Sequence, residues 1–193
     1  MARLLPGAIG EDLSGVRVLD VGCGSGWFLR LLLDWGCQPQ NLVGTELLEG
    51  RLDLARRLSP GGPVWHLGDL EGLPEVAPFD LVSAFTVFSS VLDDDLRLEL
   101  AREMWRRVAP GGAALVFDFR FNNPRNPDVR RVAKAEVAAW WPAAELHYST
   151  LILAPPLARR LFPVSPGIAT LAGLLRPLRS HFLIVARKGV SSE

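Results

Sequence analysis

The run Asp20-Val21-Gly22-Cys23-Gly24-Ser25-Gly26 carries the strongest chemical signal in the chain. An acid closes a short β-branched stretch, glycines follow at every second position, and an apolar helical pattern starts at Trp27. Residues without a Cβ permit positive φ and let a ligand approach the backbone, while the following helix aims free N–H groups at it. A dinucleotide fingerprint, Gly-x-Gly-x-x-Gly, needs a third glycine at position 27, where Trp27 stands. A carboxylate at Asp20 also suits a ligand with cationic groups better than a pyrophosphate. Both points argue against a nicotinamide oxidoreductase. Cys23 reads as a small apolar filler of the loop, not as a nucleophile.

Two further acids stand where later strands end. Glu46 follows the last loop glycine by about twenty residues, and a carboxylate there can accept hydrogen bonds from both hydroxyls of a ribose. Its plainer use is as the N-terminal charge of the next helix. Leu47 would give an adenine ring an apolar face. Asp69 can accept from an exocyclic amine while the N–H of Leu70 meets a ring nitrogen, although an aspartate there is also an ordinary turn residue.

With Phe79-Asp80-Leu81-Val82 and Ala109-Pro110-Gly111-Gly112 following in order, this set resembles the class I S-adenosylmethionine-dependent methyltransferases over nearly the whole chain. The resemblance implies S-adenosylmethionine as cofactor, with its sulfonium and ammonium, and S-adenosylhomocysteine as product. It places Gly22, Cys23, Gly24 and Gly26 against the methionine part, Glu46 on the ribose, and Asp69 with Leu47 and Leu70 around the adenine. Asp20 would order the loop and favour the amino group. Phe85 would lie beside the methyl-transfer centre, with Ser89 or Ser90 near cofactor or acceptor.

The acceptor implied is a small molecule methylated on oxygen or nitrogen. Enzymes that methylate an exocyclic amine of a base carry an Asn-Pro-Pro-Tyr type motif after the fourth strand; here that place reads Phe85-Thr86-Val87-Phe88, and Phe88 joins the acceptor-side candidates. The segment Asp118 to Arg130 is similar to bacterial polysaccharide and secondary-metabolite methyltransferases, which implies a sugar or secondary metabolite. Arg120, Asn122, Asn123 and Arg125 are donors suited to a carboxylate, phosphate or sugar, or else pin their own loop. In-line methyl transfer rests on positioning, so a base is optional; Asp118 and His147 are the candidates, while His66 and His181 read as sheet residues. The competing reading is a cofactor-binding protein that has lost catalysis and serves as an interaction partner.

These residues need an α/β scaffold, a doubly wound, Rossmann-like sheet of seven mostly parallel strands with the last antiparallel. Strands are predicted at Val16–Val21, Asn41–Glu46, Val64–Leu67, Phe79–Phe85, Ala113–Phe119, Glu145–Leu153 and His181–Arg187. Helices are predicted at Trp27–Trp35, Glu49–Leu58, from the Asp93-Asp94-Asp95 cap to about Val108, and at Val129–Trp140. Acidic residues suit a helix N-terminus, so the triple aspartate calls for no metal. Leu157 to Leu178, interrupted by Pro163, Pro166 and Pro177, predicts short amphipathic helices. The stretch 154–178 has three readings: a lid over the substrate, packing against the core, or a peripheral contact with a membrane carrying a lipid-linked substrate.

The 193 residues suit one domain, 1–193. Formal charge is zero, with 21 basic and 21 acidic residues, which argues against a general nucleic-acid binder. Two cysteines, Cys23 and Cys37, make no disulfide framework. No stretch is long and apolar enough for a membrane span and none reads as a signal peptide, so a cytoplasmic monomer or homodimer is expected.

Overall fold

The computed structural model describes residues 12–74, 77–124 and 126–190. Seven strands, β1 (Val18–Val21), β2 (Leu42–Glu46), β3 (Val64–Leu67), β4 (Phe79–Phe85), β5 (Val108–Phe119), β6 (Glu145–Leu153) and β7 (Arg179–Arg187), form one sheet in the order β3-β2-β1-β4-β5-β7-β6. β1 pairs in parallel with β2 and β4, and the parallel pairing continues to β3 on one side and β5 on the other. β7 runs antiparallel to both β5 and β6. This is the Rossmann-like fold that the resemblance implied.

The helices are α1 (Trp27–Asp34), α2 (Glu49–Leu58), α3 (Asp94–Arg107), α4 (Lys134–Trp140), α5 (Pro155–Leu161) and α6 (Pro166–Leu174). Alternate residues of the central strands feed two cores, one per face of the sheet. Leu19 and Val82 pack with Phe88, Met104 and Trp141; Val18 and Leu81 pack with Phe28, Leu29 and Leu32 of α1. Asp93 caps α3 by accepting hydrogen bonds from the N–H groups of Asp95 and Leu96, which is the use its position suggested.

Two boundaries differ most from expectation. The predicted helix at 129 begins only at Lys134, because tertiary hydrogen bonds hold the preceding backbone out. Arg130 N donates to Ser89 O, Arg131 N to Asn122 Oδ1 and Val132 N to Phe119 O, at 2.9, 2.7 and 3.1 Å. β5 starts at Val108, so the Pro110-Gly111-Gly112 turn lies within the strand; Gly111 has φ +78 and the register shifts opposite Phe79 and Leu81. Gly112 O accepts from Lys188 N, which ties this irregular start to the chain just beyond β7.

The 154–178 stretch does not pack into the core: Ala169 is its one buried residue. It forms the α5–α6 helical hairpin joining the carboxyl end of β6 to the start of β7. That connection reverses the chain at one end of the sheet, which is why the last strand is antiparallel.

The strand order reverses at β1, which has β2 on one side and β4 on the other. In an open α/β sheet a ligand cleft forms beyond the carboxyl ends of the strands at such a point.

Candidate functional site

A cleft of about 610 Å³ opens there, lined by Asp20, Gly22, Gly24, Glu46, Asp69 and Phe85 among others. The glycine loop enters α1 with Gly22, Gly24 and Gly26 all at positive φ, 62, 57 and 75°. Close packing adds to the conformational demand. A Cβ on Gly26 would run into the Trp65 ring, and one on Gly22 would sit 2.7 Å from Val87 Cγ2. On Gly24 it would meet no atom within 4 Å, so that backbone borders open space where a ligand can approach.

Glu46 is buried and bridges two chain segments. Its Oε2 accepts from Gly24 N at 2.9 Å and its Oε1 from Leu48 N at 3.0 Å. Each carboxylate oxygen keeps a lone pair beyond those bonds, so the acid can still accept from a vicinal diol. Asp20 is 2% exposed and accepts a 2.7 Å hydrogen bond from Ser83 Oγ. Burial pushes its carboxyl up to about 7, only partly opposed by Ser83. A cation brought beside it would restore its charge. Burial also pushes the Cys23 thiol up, aided by Asp20 and Glu46, which keeps it protonated and fits the filler reading. Asp69 lines the cleft while its Oδ1 accepts from Gly72 N at 3.0 Å. Leu70 is buried and Leu47 exposed; both border the same space.

A second recess of about 490 Å³ adjoins the first through Trp27, Phe85 and Thr86, and is completed by Phe117, Leu151 and Ile152. Trp27 meets Phe85 edge-on at 5.0 Å, and Phe85 lies 5.9 Å from Phe117. Behind Phe117, the His181 ring stacks at 4.9 Å with its Nδ1 2.8 Å from Ser180 Oγ. Burial lowers the His181 pKa, which favours the neutral form of the ring that backs Phe117. The wall contains no titratable side chain.

The backbone at this recess is unusual. Thr86 and Ile152 have φ of 56 and 61°, a region that β-branched residues rarely enter and that recurs at functional sites. Thr86 is held there by its N–H donating to Phe117 O at 2.7 Å and its hydroxyl donating to Phe85 O at 2.7 Å.

Several acceptor-side candidates have other occupations. Phe88 is fully buried in the core and stacks on Trp140 at 4.5 Å, because the short helical turn after β4 directs it away from the cleft. Arg120 donates to the carbonyls of Arg176 and Arg179; Asn122 Oδ1 accepts from Arg131 N; Asn123 O accepts from Asn126 N. The Arg120 and Asn122 side chains thus pin loops. Arg125 lies outside the described residues. Ser90 borders the cleft, whereas Ser89 is buried and outside it.

Neither base candidate reaches the recess. Asp118 is fully buried, with Oδ2 accepting from Ser89 N at 3.0 Å and Oδ1 from Phe119 N at 2.8 Å; burial raises its pKa despite these bonds. His147 lies on the edge strand β6, 3.1 Å from Glu145. His66 stands on β3 and pairs with Thr45 in the ladder.

Sequence reasoning missed three supports. Ser83 is indistinguishable from any strand serine until β4 lies beside β1. Trp65 packs under Gly26. Arg97 is fully buried and donates to Val91 O, Arg130 O, Arg131 O and the Glu136 carboxylate, which joins the loops after β4 and β5. Nothing in the sequence around Arg97 marks it as buried.

A family model described as a methyltransferase domain matches residues 18–112. The biotin biosynthesis bifunctional protein BioHC of Cellvibrio japonicus is 34% identical over 107 residues, covering 54% of this chain and 20% of that protein, so the chain spans about a fifth of that relative's length. The ubiquinone biosynthesis O-methyltransferase of Azorhizobium caulinodans is 29% identical over 191 residues, 94% of this chain and 71% of that one. Among solved structures, the N-methyltransferase NodS from Bradyrhizobium japonicum, in complex with S-adenosyl-l-homocysteine, superposes with a TM-score of 0.70 at 16% identity over 97% of this chain and 84% of that chain. With the glycine loop, the acids after β1, β2 and β3 and the seven-stranded sheet order, these likenesses show that the chain belongs to the class I S-adenosylmethionine-dependent methyltransferase family.

Proposed function

We propose that this protein transfers a methyl group from S-adenosylmethionine to an oxygen or nitrogen of a small, largely apolar acceptor. The observation that carries the reading is the contact between the two recesses. The polar cleft with the glycine loop and its acids shares Trp27, Phe85 and Thr86 with an aromatic and aliphatic recess free of charge. A sugar is less well served, because Arg120 and Asn122 are occupied with backbone groups.

When bound, the cofactor supplies an electrophilic methyl on a sulfonium, a good leaving group that needs no acid to assist it. The chain's own contribution is placement. Glu46 accepts from the ribose hydroxyls while holding the loop through Gly24. Asp69 and the backbone of Leu70 read the adenine edge, with Leu47 against its face. Asp20, costly to ionise in the free protein, regains its charge beside a cation, which favours the charged cofactor. Trp27, Phe85 and Phe117 exclude water and hold the acceptor at near-attack distance, the source of most of the rate in such a displacement.

The uncharged recess wall also supports a second reading, a cofactor-binding protein without methyl transfer. Incubation with methyl-labelled S-adenosylmethionine and fractionated small molecules separates the two. Label in an apolar fraction is expected, and a Phe117→Ala variant should raise KM for that acceptor while leaving S-adenosylhomocysteine affinity unchanged. Persistent absence of label, with S-adenosylhomocysteine still bound, favours the binding protein. Calorimetric binding of NAD in place of S-adenosylhomocysteine would overturn both.

A further inference from the structure

Residues 146–192 contain six basic side chains, Arg159, Arg160, Arg176, Arg179, Arg187 and Lys188, and no aspartate or glutamate, in a chain of zero formal charge. Four of them belong to the α5–α6 hairpin or the strand end it leads into. That hairpin exposes Phe162, Val164, Ile168, Leu171, Leu174 and Leu175, with Val164 at 79% and Leu171 at 65%. A third of the exposed large apolar side chains among the described residues thus fall within 162–175, which is a patch and not the ordinary scatter of a soluble surface.

The patch is held firmly. Ser165 caps α6 through Ile168 N, Ala154 N donates to Leu178 O, and Arg179 clamps the carbonyls of Gly173, Leu174 and Thr150. Arg120 adds a bond to Arg176 O. Arg159, Arg160 and Arg176 are exposed and form no ion pair among the described residues. An apolar face rimmed by free guanidinium groups suits an occupant with an apolar interior and an anionic surface. A second copy of the chain would set arginine against arginine.

We propose that the α5–α6 hairpin docks in the interface of a bilayer containing anionic lipid, its leucines, valine and phenylalanine among the acyl chains and Arg159, Arg160 and Arg176 at the phosphates. The hairpin follows directly on Leu151 and Ile152, which line the acceptor recess, so docking would bring the mouth of that recess to the membrane surface. The proposal rests on the hairpin alone and is independent of methyl transfer.

The test is flotation of the full chain with vesicles of phosphatidylcholine alone and of phosphatidylcholine with phosphatidylglycerol. Flotation with the anionic vesicles is expected, weakening as salt is raised. Arg159→Ala and Arg160→Ala should each lower partition about fivefold, and Val164→Glu with Leu171→Glu should abolish it. These side chains are exposed, so circular dichroism and S-adenosylhomocysteine titration of the variants should match the parent, which separates lost docking from lost folding and from failure of the cofactor reading. A Leu171→Trp reporter should shift its emission to the blue on adding anionic vesicles. No flotation, equal flotation with neutral vesicles at all salt concentrations, or retention of flotation by the double variant overturns the proposal. So does a concentration-dependent dimer that Leu171→Glu dissociates, which would assign the patch to a second copy.

Discussion

Glu46 Oε2 accepts a 2.9 Å hydrogen bond from the backbone N–H of Gly24, so the acid that ends β2 also holds the loop that follows β1. On the proposed ribose contact, ligand binding and loop shape are coupled through this one carboxylate. Glu46→Ala should lower S-adenosylhomocysteine affinity by about 1–3 kcal/mol, the range for a lost charged hydrogen bond, and Glu46→Gln, which keeps one acceptor oxygen, should fall between. Calorimetric titration reads both, and an unchanged affinity in Glu46→Ala would refute the ribose assignment.

Gly26 and Gly24 should separate stability from binding. Gly26→Ala combines a left-handed backbone with a collision against Trp65 and should cost about 2–4 kcal/mol in urea unfolding. Gly24→Ala meets no neighbour, so it should lose only about 1–2 kcal/mol of stability while binding S-adenosylhomocysteine much more weakly. Equal effects of the two on unfolding would contradict the packing described for Trp65.

Asp20 makes the free protein sensitive to pH. Its carboxyl titrates near 7 when folded against 3.8 when unfolded. The folded state therefore binds the proton more tightly, and this contribution is fully present below about pH 4 and lost as pH rises to about 7. The loss is on the order of 4 kcal/mol. Urea unfolding of the free protein across that interval should show this decline superimposed on other titrations, and Asp20→Asn should remove it. Affinity for S-adenosylmethionine, relative to uncharged-sulfur S-adenosylhomocysteine, should rise over the same range in the parent and stay flat in Asp20→Asn.

Arg97 is the buried cation joining the loops after β4 and β5. Arg97→Met strands three carbonyls and leaves Glu136 only Arg130 and the Ala133 N–H as partners, and should destabilise by about 3–5 kcal/mol. Hydrogen exchange should rise first at Val91 and at 130–132; uniform protection in the variant would mean the loops are held by other contacts.

That the glycine loop, Glu46 and Asp69 would gather in one cleft was legible because the demands on them are local. Glycines at alternate positions after a β-branched run, and an acid at the end of each of the next two strands, are spacings that a linear reading detects. The residues expected on the acceptor side did not gather at the cleft in the same way, for the opposite reason. Arg120 and Asn122 carry free donors on paper, yet folding sets unpaired carbonyls and amides beside them, and a buried backbone group left unpaired costs more than a ligand contact that comes later. Phe88 was assigned to the cleft from its place after β4, but a single helical turn rotates it into the core. The helix expected from Val129 lost five residues to the same competition, as its amides found partners at Ser89, Asn122 and Phe119.

By itself, the sequence determined the strand order's raw material and the chemistry of the glycine loop, since periodicity, β-branching and glycine placement act over a few residues. Only the tertiary structure decided that Ser83 would face Asp20, that Phe117 and Leu151 would wall one recess with Trp27, and that 154–178 would stand outside the core with its leucines exposed. Those outcomes depend on which distant strands become neighbours, and burial, which sets both the Asp20 titration and the exposure of the hairpin, does not exist until the sheet has closed around them.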